Sequence, residues 1–379
     1  MFYKNNFLFS VLFCFIICTG CRSKTSVEKD VEEVGSKIEL KYAKGFEIVH
    51  FKNYKRLIIK VPYPNAKETF EYILTPSSDL GVMGNQIKTP VQSVVVTSTT
   101  HVPMLELLGV EDRLIGFQNN DYISSEKTRM RIEQGFVKEL GTSSALNTEI
   151  LLELNPNVVV GFAMIKTNKA YNFIEQQGIP VVINGDWLEE TPLGRAEWIK
   201  FFGVLFNKEE KANQIFNSIE SDYFTAVEIA KQSKQQFSVL SGAIMRNEVW
   251  NLPAGESFVA QFLKDANLDY LWKDTEGKGS LNLGFEHVFE KGQNADFWIA
   301  PGYFSSKQQM LDANAHYANF SSFKKGNVFT PSTKTGKTGG VIFFELAPTR
   351  PDLVLKDLIK MTNPKLLPEY EMTFFEKMN

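Results

Sequence analysis

Between positions 208 and 232 the chain places Ala212, Ile215, Phe216, Ile219, Tyr223, Ala226, Val227 and Ala230 at spacings of three and four. Charged and polar residues fill the gaps, and the stretch holds no Gly or Pro. This period puts the apolar positions on one face of a helix, so the pattern predicts a single helix over 208–232. Asn207, with Glu210 three residues on, forms a capping-box arrangement that is expected to set its start. At ~1.5 Å per residue such a helix reaches about 38 Å, the width of a small domain. It is long enough to join two domains.

The flanks have a repeating grammar. Short β-rich runs at 46–51, 56–61 and 69–74, with Pro62-Tyr63-Pro64-Asn65 between the last two, predict a small antiparallel meander within 36–90. From Val94 strands alternate with helices: strands at 94–98, 113–117, 157–161 and 179–184, a helix at 102–108 closed by Gly109, and a helix opened by Thr191-Pro192. The grammar restarts after the long helix, with strands at 237–242, 296–301, 328–330 and 341–344 and helices at 257–266 and 352–362. The expected fold is α/β. Two lobes, 91–206 and 233–379, with mostly parallel sheets flanked by helices, are joined by one long inter-lobe helix, 207–232. In such sheets ligands gather at the loops beyond the carboxyl ends of the strands. In the first lobe these are the loops 97–101, 118–122, 161–162 and 185–187.

Composition narrows the class. At 379 residues the chain suits two domains. Hydrophobic residues make up 43% and charged residues 22%, which fits a globular protein. A net charge of −3 without a Lys/Arg-rich block argues against nucleic acid as a partner. Lys4 precedes an apolar run from Phe7 to Ile17, the size of a signal-peptide core and too short to span a bilayer, so 1–20 is expected to direct export. The run ends in Cys18-Thr19-Gly20-Cys21, which resembles the bacterial lipobox, with Cys18 where Leu is usual. The resemblance implies lipidation of Cys21 and a membrane anchor; the alternative is an ordinary secretory signal. All three Cys lie within the first 21 residues, so cleavage at Cys21 would leave one thiol and no disulfide. The polar stretch 21–35 is expected to be a flexible tether.

Several segments in order carry a family resemblance. TSTTHVPMLELLGVEDRLIGF, LNTEILLELNPNVVVG, GIPVVINGDWLEETPLGRAEWIKFFG, WNLPAGESFVAQFLKDANLDYLW and GFEHVFEKGQNADFWIAPG resemble segments of the helical-backbone (class III) periplasmic solute-binding proteins. That family delivers cobalamin, ferric siderophores or haem to ABC importers. The resemblance runs from about Val94 to the C-terminus and leaves the meander outside the common core. It implies that Glu149 and Glu286, one acidic residue per lobe, dock onto arginine pockets of a permease dimer; exposed carboxylates in a first helical turn suit that pairing. The expected ligand contacts are Thr99, Thr100, His101, Asn120, Tyr122 and Trp187 from the first lobe, and Arg246, Trp250 and Tyr303 from the second. Aromatics there would stack on a macrocycle or catecholate, and Arg246 would pair with an anionic chelate.

Catalytic and metal chemistry find little support. His50, His101, His287 and His316 show no ligand spacing, so no metal site and no cofactor are expected. Axial ligation of a bound haem by His101 or Tyr303 is one option. The Gly-Lys-Thr within 333–340 lacks the earlier Gly of a phosphate loop, since Pro331 takes its place, and a flexible loop at the cleft rim is expected. The leading expectation is a monomeric, lipid-anchored substrate-binding subunit of an ABC importer on the periplasmic side of the envelope. It would capture an iron chelate (siderophore or haem) or cobalamin. The alternatives are an exported lipoprotein enzyme, a hydrolase or transferase on the same scaffold, and a chelate scavenger without a permease.

Overall fold

Alternating apolar positions bury Phe46, Ile48, Leu57, Ile59, Tyr72 and Leu74 beneath an N-terminal sheet. Its strands Ser36–Lys37, Phe46–His50, Lys55–Ile59 and Phe70–Thr75 pair antiparallel in sequence order. A fifth, Asn85–Lys88, runs parallel to the fourth, so the meander is not wholly antiparallel. Its apolar face is continuous with the core of the first lobe, so the sheet is built into that lobe. The computed structural model describes residues 35–77, 84–142, 145–245 and 249–379. Cys21, the segment 1–20, most of the expected tether and Arg246 lie outside the described residues.

The first lobe is built on a five-stranded sheet in the order Val181–Ile183, Val158–Gly161, Val94–Val96, Leu114–Phe117, Lys138–Glu139, with every pairing parallel. The central strand, three consecutive valines, is wholly buried, as expected of a parallel strand covered on both faces. In the second lobe Asp269–Tyr270, Ser238–Ser241, Phe297–Ile299 and Val328–Thr330 pair parallel, and Glu376–Lys377 closes one edge antiparallel. Ala243–Ile244, Val249–Pro253 and Ser280–Gly284 add a small antiparallel sheet. The apolar run after Gly340, expected as a strand, is the helix Ile342–Leu346. A short run of this kind has no periodicity that separates strand from helix.

The long helix spans Glu209–Ala230. Its first half contributes Ala212, Phe216 and Ile219 to the core of the first lobe, and its second half contributes Tyr223, Ala226 and Ala230 to the core of the second. One uninterrupted helix is thus shared by two hydrophobic cores and joins the lobes. The expected capping box does not form. Asn207 adopts a left-handed conformation at φ 52°, and its Oδ1 accepts from Lys55 Nζ at 3.0 Å in place of a helix N–H. Lys208 stands at the cap without a side-chain hydrogen bond.

Buried carboxylates fasten the N-terminal segment to this joint. Glu197, fully buried, accepts the backbone N–H groups of Lys41, Tyr42 and Ala43 at 3.0, 2.7 and 2.9 Å. Lys41 Nζ and the Tyr42 hydroxyl both donate to Glu220 on the long helix. No helix among the described residues is long and apolar enough to cross a membrane.

Candidate functional site

The carboxyl ends of the first-lobe strands open onto a cavity of about 600 Å³, lined by Thr97, Ser98, Thr99, Gln118, Tyr122, Phe162 and Met164 among others. Beneath it, the Tyr171 hydroxyl lies 3.1 Å from Thr97 Oγ1 and donates to the Phe162 carbonyl at 3.3 Å. This approach needs Gly161, because a Cβ there would stand 2.5 Å from the Tyr171 oxygen. The loop after the strand Val158–Gly161 is therefore held with its apolar side chains outward. Phe162, Met164 and Ile165 are 39%, 58% and 66% exposed, and their apolar surface is turned to solvent at a place where a loop is ordinarily polar.

The second lobe offers a cavity of about 590 Å³ at the ends of its own strands. Tyr303, 70% exposed, leans against Phe344 with ring centroids 6.1 Å apart, and Met245 stands beside them. Below this mouth the walls are Val259, Phe262 and Leu263 of the helix Phe258–Asp265 and Val354 and Leu358 of the helix Pro351–Thr362, with Phe375. Among the described residues no charged side chain lines it.

The two strand-end edges meet through the loop expected to be flexible. Thr338 Oγ1 donates to the Asp121 carbonyl at 2.8 Å, and Lys337 pairs with Glu133 at 2.7 Å. Gly340 lies so close to Tyr122 that a Cβ would stand 2.2 Å from the Tyr122 carbonyl oxygen. Two backbone contacts, Gly336 N–H to the Gly340 carbonyl and a bridge between Thr335 and Val341, close the loop on itself. It is tied down across the lobes. Just beyond it a further cavity of about 780 Å³ has walls from both lobes, including Glu106, Arg129, Lys337 and Glu345.

The structure sorts the expected ligand contacts. Thr99, Tyr122 and Tyr303 line the two strand-end cavities. Thr100 sits nearby with its hydroxyl engaged, donating to Asp186 Oδ2 at 2.9 Å and accepting from Ser98. His101 is fully buried at the start of its helix, tilted against Phe202 at 5.4 Å. Burial pushes its imidazole down to about 4, with Asp186 opposing, which keeps it neutral at physiological pH. Trp250 is also fully buried, stacked on Trp298 at 5.3 Å and donating its indole N–H to the Ser241 carbonyl at 3.0 Å. Both leave the contact set: Trp250 is held in an aromatic cluster with its indole N–H satisfied, and His101 opens a helix whose first turn lies in the core. The Asn120 side chain is buried too, on a loop fixed by Glu139, which accepts from the backbone N–H groups of Asn119 and Asn120 at 2.8 Å each. Trp187 is half-buried, and its carbonyl accepts from Arg195 at 2.6 Å.

Phe162, Met164, Ile165, Met245 and Phe344 were not anticipated. The available signal was a run of apolar residues directly after a strand, Phe162-Ala163-Met164-Ile165, where turn residues are the norm. Glu149 and Glu286 are exposed in the first turns of the helices Thr148–Leu154 and Phe285–Gly292. Asn147 caps the first by accepting from Ile150 N–H at 3.1 Å. No group of His, Cys, Asp and Glu suited to a metal ion occurs among the described residues.

Known proteins share this architecture. An uncharacterized lipoprotein of Methanocaldococcus jannaschii is 24% identical, over 93% of this chain and 87% of that protein. A possible iron-binding (periplasmic solute-binding) protein from Staphylococcus epidermidis superposes with a TM-score of 0.55 at 15% identity, over 73% of this chain and 100% of that one. The periplasmic haem-binding protein HutB of Vibrio cholerae gives 0.54 at 16% identity, over 70% and 99%. The periplasmic binding protein family model matches residues 94–335. That match runs from the central strand of the first lobe into the loop that reaches back from the second, so it takes in most of both halves of the candidate site, and the chain belongs to the periplasmic binding protein family.

Proposed function

We propose that the protein is the lipid-anchored substrate-binding subunit of an ABC importer, with lobes 91–206 and 233–379 around the joint 207–232. It holds a metal chelate between the lobes and presents it to a permease dimer through Glu149 and Glu286. The observation that carries this reading is the pair of cavities at the strand ends of the two lobes, both rich in exposed aromatic and thioether side chains, with Lys169 the one charged residue lining either of them among the described residues. Walls of this kind favour a ligand with broad apolar faces, such as haem, a corrinoid or a hydroxamate chelate, over a multiply charged catecholate, whose desolvation they would leave uncompensated. The similarity to a possible iron-binding protein of Staphylococcus epidermidis and a haem-binding protein of Vibrio cholerae supports the ligand class. The lipoprotein name of the Methanocaldococcus relative supports anchoring at Cys21.

The shared helix gives the mode of action. A helix continuous with both cores resists wide opening, so capture and release depend on small shifts of the strand-end loops. The test is a visible spectrum of the purified soluble domain followed by tryptophan-fluorescence titration with haem, cobalamin and ferric hydroxamates. Saturable quenching by one of them supports the proposal, and no binding by any, with transport unaffected by deleting the gene, overturns it.

A further inference from the structure

The two halves of the site differ in polarity. The first-lobe cavity carries Thr97, Ser98, Thr99, Gln118, Asn168 and Lys169 beside its apolar residues. The second-lobe cavity passes from a mouth at Met245, Tyr303 and Phe344 down to Phe262, Leu263, Val354, Leu358 and Phe375, each of these last five at most 5% exposed. Its floor is preset, since Asp357 accepts the backbone N–H groups of Phe374 and Phe375 at 2.7 and 3.2 Å and so holds Phe375 in place. Ser241, Asn251 and Ser280 also border this cavity, but its depth is walled by apolar side chains that favour an apolar guest, and it has the volume of a small-molecule site. A compact polar chelate would fill the first-lobe side and leave the second-lobe depth empty.

From this asymmetry we infer that the ligand is an amphiphile: a polar chelating head seated at the first-lobe strand ends, carrying a hydrocarbon tail that enters the second-lobe cavity between the helices Phe258–Asp265 and Pro351–Thr362. The inference rests on the proposed binding role for the head but not for the tail, which the apolar cavity selects by itself. Each methylene buried adds about 0.8 kcal/mol, or roughly fourfold in affinity.

The experiment is calorimetric titration of the purified protein with 1-alkanols from butanol to decanol, and with a ferric hydroxamate bearing a short, a medium or a long acyl tail. Affinity is expected to climb roughly fourfold per methylene in both series and then level off. Val259→Phe, which narrows the cavity from a half-buried position, is expected to bring the plateau to shorter chains in both series. Chelate binding that is indifferent to tail length, with alkanols failing to bind, overturns the inference while leaving the transport role standing. Alkanol binding with no chelate binding upholds the apolar subsite and overturns the chelating head. If Val259→Phe fails to fold, the chain-length series on the unaltered protein decides alone.

Discussion

Glu345 of the second lobe accepts the backbone N–H of Ser124 in the first at 2.6 Å. It accepts Ser125 N–H as well, at 3.0 Å, and at 2% exposure it is a buried carboxylate bridging two lobes. Burial pushes its carboxyl up from 4.5 to about 7, against the pull of those N–H groups, and Glu106 adds to the rise. Glu106 is in turn engaged by the hydroxyls of Ser125 and Thr128. Because the folded form binds the proton more tightly than the unfolded chain, this group's contribution to stability is fully present below about 4.5. It is lost as the pH rises towards about 7. Thermal unfolding followed across that window is expected to show a falling melting temperature in the wild type, with a swing on the order of 3 kcal/mol. Glu345→Gln, which keeps one acceptor and does not titrate, is expected to flatten the fall. Equal slopes for the two proteins would remove Glu345 as the source.

Trp250 and Tyr303, both first considered as ligand contacts, separate cleanly by experiment. Trp250 is sealed among Trp298, Tyr317 and Phe320, so Trp250→Ala is expected to cost about 3–5 kcal/mol through the cavity it leaves. Tyr303 is 70% exposed, so Tyr303→Ala is expected to change stability by about 0.5 kcal/mol or less while weakening ligand binding. Chemical denaturation and ligand titration of both variants check this, and a stable Trp250→Ala protein with lost affinity would reverse the assignment.

Gly161 and Tyr171 make a third test. Adding a Cβ at 161 would drive it to 2.5 Å from the Tyr171 oxygen and 2.6 Å from Cζ, an overpacking expected to cost about 1–3 kcal/mol. Tyr171→Ala removes the obstructing ring, so the double variant Gly161→Ala/Tyr171→Ala is expected to be destabilised by clearly less than the sum of the singles. Strict additivity would show that the clash relaxes elsewhere.

The long helix was legible because its period is unbroken for more than five turns and the apolar positions at spacings of three and four each found a core to enter. Its cap was not, because Lys55, some 150 residues earlier, competes for the Asn207 side chain, and that partner exists only in the folded chain. The parallel strands announced themselves as runs such as Val94-Val95-Val96. The helix Ile342–Leu346 did not, since four apolar residues in a row fit either structure. The site was legible as a location but less so as a set of residues. Strand-end loops can be named from the alternation of strand and helix, whereas whether His101 or Trp250 faces the cleft or the core depends on neighbours such as Phe202 and Trp298. The second-lobe cavity is assembled from Met245, Val259, Tyr303, Phe344 and Phe375, which no local pattern connects.

Glu149 and Glu286 carry the remaining prediction. Each is an exposed carboxylate in the first turn of a helix, one per lobe, where the helix dipole favours negative charge by about 0.3–1 kcal/mol. Reversal to Lys forfeits that term, so each single substitution is expected to lower stability by no more than about 1 kcal/mol. Neither residue lines the strand-end cavities, so the double variant Glu149→Lys/Glu286→Lys is expected to bind ligand with unchanged affinity. In the docking role proposed for them both carboxylates meet arginines of a permease, where a reversed charge would repel in place of pairing. Whole-cell uptake of labelled ligand is therefore expected to fall to background while titration of the purified variant stays at the wild-type value. Reduced affinity with uptake preserved would place these residues in ligand binding and leave the docking surface elsewhere on the protein.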